Sequence, residues 1–375
     1  MKWNDVTNLH LEITALCNAA CPACSRYPTS SYFVHPYISN SDTWSIEEVK
    51  KRLPPEDIAG IKAFFINGTL GDFVANFHAL EIVDYFRECA PTAYISINTN
   101  GSARTREWWT RLGSIPKVHV AFAIDGLADT HALYRRNTDW NKIIENAQAF
   151  IQAGGDAEWI MTLFKHNEHQ VDDCSALATH YGFKNFTSRF NNRPHVPVRD
   201  RSGNTIYKLE SASNTPLTML HDVDEQIQKR KEQAFQLNKV ITVRQEKTNL
   251  PLAGGKADCG SLTRREIYIS AQWAVVPCCF IGNLMFYKES DSHFKDIVDL
   301  ANRHGADVSM LVATDERSVA NIVNAGFDWV YENLATADAP AVCYRNCNSK
   351  TSSFVIGQTN RTFKELQSTK INQDL

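Results

Sequence analysis

Short β-rich segments alternate with longer helical patterns from the start of the chain to about residue 190, and this alternation is the strongest constraint on the fold. Six segments have the length and the apolar or β-branched content of strands. They span residues 10–14, 63–66, 93–98, 118–124, 158–163 and 185–190. Strands that alternate with helices are typical of parallel βαβ units. The sequence therefore predicts an α/β fold with a parallel sheet.

Helix signals lie between these strands. Ser45 and Glu48 have the spacing of a capping box at the start of a helical pattern. Leu80, Val83 and Phe86 share one face of a second helical pattern, which also carries Cys89. Residues 140–153 and 172–181 have similar patterns, so we expect a helix in each segment.

The alternation ends near residue 190, and this change predicts a domain boundary. Residues 191–220 carry Asn, Pro, Arg, Ser and Gly, which are typical of loops. A mostly polar helical pattern follows at 221–238, and two β-rich runs at 266–270 and 273–276 indicate a hairpin. The predicted organisation is a first domain over residues 1–220, a linker helix region over 221–258 and a second domain over 259–375.

The composition excludes several classes of protein. Hydrophobic residues make up 43% and charged residues 22% of the 375 residues, so the chain is expected to fold. Its net charge of -3 gives no broad field that would attract nucleic acid or anionic lipid. The N-terminal residues lack the apolar core of a secretory signal, and the longest apolar stretch, 273–286, is too short to span a bilayer. We therefore expect a cytoplasmic protein with no membrane and no nucleic-acid partner.

Ten cysteines need a chemical reason in such a chain, and eight of them fall in local groups. Cys17, Cys21 and Cys24 directly follow the first predicted strand, at the edge of the sheet where α/β proteins place their chemistry. Thiolates bind zinc, copper(I) or iron-sulfur clusters, and a 4Fe-4S cluster held by three cysteines leaves one iron open. A structural zinc knuckle and three incidental thiols are the alternatives.

The CxxxCxxC spacing of Cys17, Cys21 and Cys24 after the first strand resembles the radical S-adenosylmethionine (radical SAM) enzymes. This resemblance implies a partial (β/α)6 TIM-like barrel that binds a 4Fe-4S cluster and S-adenosylmethionine. It further implies a metal-binding, oxidoreductase-type enzyme in which the open iron chelates the amino and carboxylate groups of the cofactor. An electron from a donor such as flavodoxin or ferredoxin would then cleave the cofactor to methionine and a 5′-deoxyadenosyl radical.

Loops after later strands are also similar to this family and supply candidate cofactor-binding residues. Residues 65–72 (FINGTLGD) resemble its glycine-rich stretch, for which an ordinary βα turn is the alternative. Residues 98–101 (NTNG) and 123–126 (AIDG) resemble two further family motifs, and the guanidinium of Arg189 could bind the methionine carboxylate. The cofactor-binding candidates are Gly68, Gly71, Asp72, Asn100, Asp125 and Arg189.

Cys259, Cys278, Cys343 and Cys347 form a second set of thiols. Their arrangement around the predicted hairpin resembles the twitch domain, the single-cluster version of the SPASM extension that follows some radical SAM barrels. The resemblance implies a small twitch/SPASM-like α+β domain with a second 4Fe-4S cluster, which four thiolates close completely. A structural zinc site is the alternative. Cys278 and Cys279 are expected to continue the extended hairpin strand, where neighbouring side chains point to opposite faces and cannot easily share a cluster. Cys279 is therefore left over as an alternative ligand, a hydrogen-atom donor or a buried thiol.

The expected function is therefore that of a radical SAM enzyme that abstracts hydrogen from a substrate. Residues 129–135 and 164–167 resemble the peptide-modifying branch of the family, which makes a peptide or protein side chain the leading substrate. The alternatives are the same chemistry on a small molecule, such as an aminocyclitol alcohol or a nucleotide, and a zinc-stabilised binding protein without catalysis. The sequence identifies no catalytic acid or base.

Overall fold

A computed structural model describes residues 1–27, 31–190, 196–213, 259–287, 292–326 and 328–333, together with Cys343 and Cys347. The predicted helix at 221–238 lies outside these described residues. Among them, no helix is long and apolar enough to cross a membrane.

An eight-stranded sheet organises the chain, and a separate two-stranded ribbon lies beside it. The strands are β1 (Asn8–Leu11), β2 (Ala63–Ile66), β3 (Tyr94–Thr99), β4 (Val118–Ala123), β5 (Asp156–Leu163), β6 (Asn185–Phe190), β7 (Val196–Arg199), β8 (Thr205–Leu209), β9 (Glu266–Ile269) and β10 (Val275–Val276). Strands β1 to β6 pair in sequence order, and every pair among them is parallel. The predicted α/β fold with a parallel sheet is confirmed, as are all six predicted strands to within a few residues.

Helices connect the strands, and the four helices predicted between them are present as α1, α3, α6 and α7. The α-helices are α1 (Ile46–Arg52), α2 (Pro55–Ile58), α3 (Ala79–Cys89), α4 (Arg106–Gly113), α5 (His131–Tyr134), α6 (Trp140–Gln152), α7 (Val171–Tyr181), α8 (Gly260–Arg264), α9 (Cys279–Tyr287), α10 (Ser292–Arg303), α11 (Val319–Gly326) and α12 (Asp328–Asn333). Short 3-10 helices span Trp3–Asp5, Phe73–Ala75, Glu168–Gln170 and Val308–Leu311. The capping box is confirmed, because the Ser45 hydroxyl accepts the Glu48 N–H while the Glu48 carboxylate accepts the Ser45 N–H.

The strands have two different faces, as the strand period of two requires. In β4, Val118, Val120 and Phe122 lie in the hydrophobic core. The intervening His119 instead lies beside two carboxylates of β5. The sheet therefore has an apolar face in the core and a second face that carries polar groups.

The C-terminal hairpin is confirmed, since β9 and β10 are antiparallel. It does more than was predicted, because β9 also pairs with β1 in parallel and so extends the barrel sheet. One expectation is wrong: Cys278 and Cys279 do not share an extended strand. Strand β10 ends at Val276 and helix α9 begins at Cys279, so the period of two cannot decide where these thiols point.

Candidate functional site

The loop that carries Cys17, Cys21 and Cys24, here called the cysteine loop, follows β1 at the carboxyl edge of the parallel sheet. Within this loop the Cys24 N–H donates to the Cys21 carbonyl and forms a turn. The Ala20 N–H donates to the Arg136 carbonyl at 2.8 Å. Burial, the charge of Asp72 and the neighbouring Cys21 thiol all raise the pKa of Cys17.

Two polar side chains contact the thiols of this loop. Asn100 Nδ2 lies 3.8 Å from the Cys17 sulfur, and Arg135 Nη1 lies 3.8 Å from the Cys21 sulfur. Burial raises the pKa of Cys21 to about 11, although the charge of Arg135 lowers it. Buried thiols that lie near one another ionise readily only beside a cation. Three thiols on one loop are a donor set that suits zinc, copper(I) or an iron-sulfur cluster, and Asn100 and Arg135 would then donate hydrogen bonds to two of the sulfurs.

The loop over residues 68–72, here called the glycine loop, packs directly against the segment after β1. A Cβ atom at Gly71 would lie 1.8 Å from the Thr14 carbonyl oxygen, and one at Gly68 would lie 2.2 Å from the Gly71 oxygen. No side chain fits at either position. Both glycines are thus required by the close approach of protein backbone, which brings the loop next to the cysteine loop.

Asp72 ties the glycine loop to the loop after β3. Its Oδ1 accepts from the Thr99 hydroxyl at 2.6 Å and from the Val74 N–H at 3.2 Å. Its Oδ2 accepts from the backbone N–H and the Nδ2 of Asn100 at 2.7 and 2.8 Å. These four donors match the acceptor capacity of a carboxylate. Burial raises the pKa of Asp72, and the hydrogen bonds from Thr99 and Asn100 lower it. That Asp72 also binds the methionine ammonium stays a prediction.

Asn100 is the polar centre of the site. Besides Asp72 and Cys17, its Nδ2 reaches Asn18 Oδ1 at 3.1 Å, while its Oδ1 accepts from the N–H and hydroxyl of Ser102. The structure therefore brings three of the residues identified from the sequence together: Cys17, Asp72 and Asn100.

Asp125 lies on the other side of the cysteine loop and is fully buried. Its Oδ2 accepts from Arg135 Nε at 2.5 Å, and its Oδ1 accepts from the Thr162 N–H. The ion pair aims Arg135 at Cys21. Asp125 thus reaches the cysteine loop through Arg135, a residue that sequence reasoning did not place in the site.

Arg189 belongs to β6, and its charge faces Glu158 of β5. Burial lowers the pKa of Arg189, while Glu158 raises it. Its predicted contact with the methionine carboxylate stays a prediction.

The distal cysteines lie near one another. Burial raises the pKa of Cys278, and so do the neighbouring thiols of Cys279, Cys343 and Cys259. The pKa of Cys343 is likewise raised by burial and by the neighbouring thiols of Cys259 and Cys347. Within the described ranges, no three His, Cys, Asp or Glu side chains are close enough to hold a single metal ion. Each thiolate of a 4Fe-4S cluster binds a different iron atom, so its ligands need not converge on one point.

Cys279 has different surroundings from Cys278. Its pKa is raised to about 12, chiefly by burial and then by the charges of Glu266 and Glu12. The charge of Arg264 lowers it. Cys279 therefore lies near charged groups of α8, of β9 and of the segment after β1.

Two buried charged residues near the site were not identified from the sequence. Glu12 occupies a polar position in the alternating pattern that continues β1, so nothing in the sequence marks it as buried. Arg26 donates through Nη1 to the carbonyls of Ala15 and Leu70 and so joins the cysteine loop to the glycine loop. Nothing in the sequence around Arg26 indicates this role.

Comparison with known proteins gives one family match. A family profile described as the Radical SAM superfamily matches residues 11–178. No curated protein sequence matches the chain.

Solved structures with a similar backbone trace include SuiB from Streptococcus suis. The sequence identity is 14% and the TM-score 0.44, and the match covers 76% of this chain and 64% of SuiB. A tagged form of anSMEcpe with bound AdoMet has 16% identity and a TM-score of 0.45 over 76% of this chain and 73% of that chain. BtrN in complex with AdoMet and 2-DOIA has 12% identity and a TM-score of 0.38 over 92% of this chain and 93% of BtrN. The chain thus spans less than two thirds of SuiB.

Proposed function

Because the chain contains a radical SAM domain over residues 11–178, we propose that it is an enzyme that cleaves S-adenosylmethionine reductively at a 4Fe-4S cluster. The observation that carries this proposal is the position of Cys17, Cys21 and Cys24 on one loop after β1, with two polar side chains at the sulfurs. When bound, the cluster supplies the electron that cleaves the cofactor to methionine and a 5′-deoxyadenosyl radical, which takes a hydrogen atom from the substrate.

The chain's own residues would hold and tune this cluster. The thiolates of Cys17, Cys21 and Cys24 would each hold one iron, which would leave one iron open for the cofactor. Asn100 and Arg135 donate hydrogen bonds to the sulfurs of Cys17 and Cys21, and such bonds are one way in which a protein sets a cluster potential. Arg135 also brings a positive charge beside Cys21, which favours the thiolate.

Six residues are proposed to form the S-adenosylmethionine site, by direct contact or by holding its loops: Gly68, Gly71, Asp72, Asn100, Asp125 and Arg189. The glycine loop would bind the methionine end through its backbone, and Asp72 would hold that loop against Asn100. Arg189 would bind the methionine carboxylate, because a guanidinium forms two parallel hydrogen bonds with a carboxylate. Asp125 would hold Arg135 in place at the carboxyl edge of the sheet, where the cofactor would bind.

The decisive experiment replaces Cys17, Cys21 and Cys24 by Ala in the reconstituted protein. Reductive formation of 5′-deoxyadenosine from S-adenosylmethionine should be abolished, while iron at the distal site remains. The matched control replaces Cys89 and Cys174, which lie on α3 and α7, and should keep the product. Persistence of 5′-deoxyadenosine in the triple variant would refute the assignment.

The distal thiols of Cys259, Cys278, Cys343 and Cys347 are proposed to bind a second 4Fe-4S cluster. Support comes from their proximity: the thiols of Cys259 and Cys343 raise the pKa of Cys278, and those of Cys259 and Cys347 raise the pKa of Cys343. A closed cluster suits electron transfer. The external reductant would be a one-electron donor such as flavodoxin or ferredoxin.

The proposed substrate is a peptide or protein side chain. Two segments with a resemblance to peptide-modifying enzymes lie together, because the rings of Tyr134 and Phe164 are 4.7 Å apart. The β7–β8 ribbon adds Val196, Val198 and Leu209 to the same apolar cluster. To test this, deuterated cell extract would be separated into peptide and small-molecule fractions. Deuterium should appear in 5′-deoxyadenosine with the peptide fraction, whereas transfer from the small-molecule fraction alone would redirect the assignment to an aminocyclitol alcohol or a nucleotide.

A further inference from the structure

Glu12 is a buried carboxylate in the segment that continues β1, and the proposed chemistry does not use it; its side chain is 1% exposed. Its Oε1 accepts from the backbone N–H groups of Leu70 and Gly71, and its Oε2 accepts from the phenol of Tyr268. Burial raises the pKa of Glu12, and the hydrogen bonds from Tyr268, Leu70 and Gly71 lower it. A buried charge is tolerated only when such donors satisfy it.

Tyr268 reaches Glu12 because β9 lies beside β1. The register of this parallel pair places Tyr268 opposite His10, and the two rings meet edge to face with centroids 5.0 Å apart. Tyr268 is itself 1% exposed. This phenol therefore enters the site from a strand that lies far outside residues 11–178, the segment that matches the radical SAM family.

Both backbone polar groups of Leu70, in the middle of the glycine loop, are hydrogen-bonded. Glu12 accepts the N–H of Leu70, while the guanidinium of Arg26 donates to the Leu70 carbonyl. The next N–H groups along the loop are also engaged, by Glu12 at Gly71 and by the Leu16 carbonyl at Asp72. The conformation of this loop thus depends directly on Glu12.

We propose that Glu12 and Tyr268 are positioning residues that hold the glycine loop in the conformation that binds the methionine end of S-adenosylmethionine. The inference rests on the proposed function, because it assigns that role to the loop. It adds that β9 completes the cofactor site. Tyr268 donates to Glu12, Glu12 accepts from the loop backbone, and loss of either side chain loosens the loop.

The test compares two tyrosines in the reconstituted full chain. Tyr268→Phe keeps the ring and removes the donor to Glu12. Tyr85→Phe is the matched control. Tyr85 lies on α3, and its phenol is also buried and donates to the Leu53 carbonyl at 2.8 Å. Tyr268→Phe should weaken S-adenosylmethionine binding about tenfold by calorimetry, which corresponds to one lost hydrogen bond in a buried site. Tyr85→Phe should bind as the wild type does.

Hydrogen exchange gives a readout that needs no cofactor. In Tyr268→Phe, amides of residues 68–72 should exchange faster than in the wild type and in Tyr85→Phe. Glu12→Gln keeps an oxygen for the Leu70 and Gly71 N–H groups and can donate to the phenol oxygen, so its affinity should stay within about threefold of wild type. Glu12→Leu has no acceptor and should lose about tenfold or more.

Unchanged exchange and affinity in Tyr268→Phe would overturn the inference, as would equal losses in Tyr268→Phe and Tyr85→Phe. A wild type that binds no S-adenosylmethionine would refute the proposed function, and the positioning role with it. A wild type that binds while Tyr268→Phe behaves like the control would refute the positioning role alone.

Discussion

His119 is expected to make the stability of this protein fall at alkaline pH. The residue is 1% exposed in β4. Its Nδ1 lies 3.6 Å from Asp156 Oδ2 and its Nε2 lies 3.4 Å from Glu158 Oε2, so the contacts are ion pairs. Burial lowers the pKa of His119, but the two carboxylates outweigh burial and raise the pKa to about 9. The folded protein therefore holds this imidazole protonated at neutral pH.

The size of the effect follows from linkage. A shift from 6.5 to about 9 corresponds to about 3.5 kcal/mol, at about 1.4 kcal/mol per pKa unit. The folded pKa is above the unfolded one, so this contribution is complete below pH 6.5 and is lost as the pH rises through 9. Asp156 and Glu158 have lowered pKa values, because their interaction with His119 outweighs the effect of burial, which raises them. The stability that they supply is therefore lost in acid.

Two measurements check this. Histidine NMR of the folded protein should show one ring that titrates near pH 9, and thermal unfolding should show a wild-type midpoint that falls between pH 7 and pH 10. In His119→Gln the midpoint should be lower at pH 7 and should change less with pH. His180→Gln, at an exposed position of α7, is the control and should follow the wild type. A His119 ring that titrates below pH 7.5, or equal slopes in wild type and His119→Gln, would refute the reasoning.

Two further predictions concern the cofactor sites. Asp72→Ala should weaken S-adenosylmethionine binding by roughly 1.5 to 3 kcal/mol in calorimetry with the cluster intact, because donors of the flanking loops lose a charged acceptor; unchanged affinity would make the glycine loop an ordinary turn. Cys278→Ser should lower iron from about eight to about four per chain if the loss of one ligand empties the distal site, while Cys279→Ser should keep it all. The reverse result would make Cys279 the ligand.

The local parts of this fold are predictable from the sequence. Strands, helices and the Ser45 capping box follow from periods and spacings that act within a few residues. The pairing of β9 with β1 does not, because it joins segments about 250 residues apart and depends on side chains that meet only in the folded state. Glu12 and Tyr268 illustrate this limit, since neither residue indicates its partner.

The site shows the same division at the level of single residues. Residue type and place after a strand were enough to bring Cys17, Asp72 and Asn100 into one hypothesis. What each side chain contacts was beyond the sequence: the carboxylate of Asp72 faces four protein donors. Glycines 68 and 71 likewise serve a contact between two stretches of backbone, and such a contact leaves no local pattern.

Trp273 shows why a local rule can fail. It occupies the turn between β9 and β10 with φ of +63°, in the left-handed region that favours glycine. A side chain in this left-handed region costs about 1 to 2 kcal/mol. Its ring, however, is 4% exposed, stacks on Trp44 with centroids 3.9 Å apart and lies 4.8 Å from the Arg52 guanidinium. Truncation of a buried aromatic of this size to Ala costs about 3 to 5 kcal/mol, so packing outweighs the backbone strain. The residue that turn preference disfavours therefore fixes the C-terminal hairpin against the segment that leads into α1.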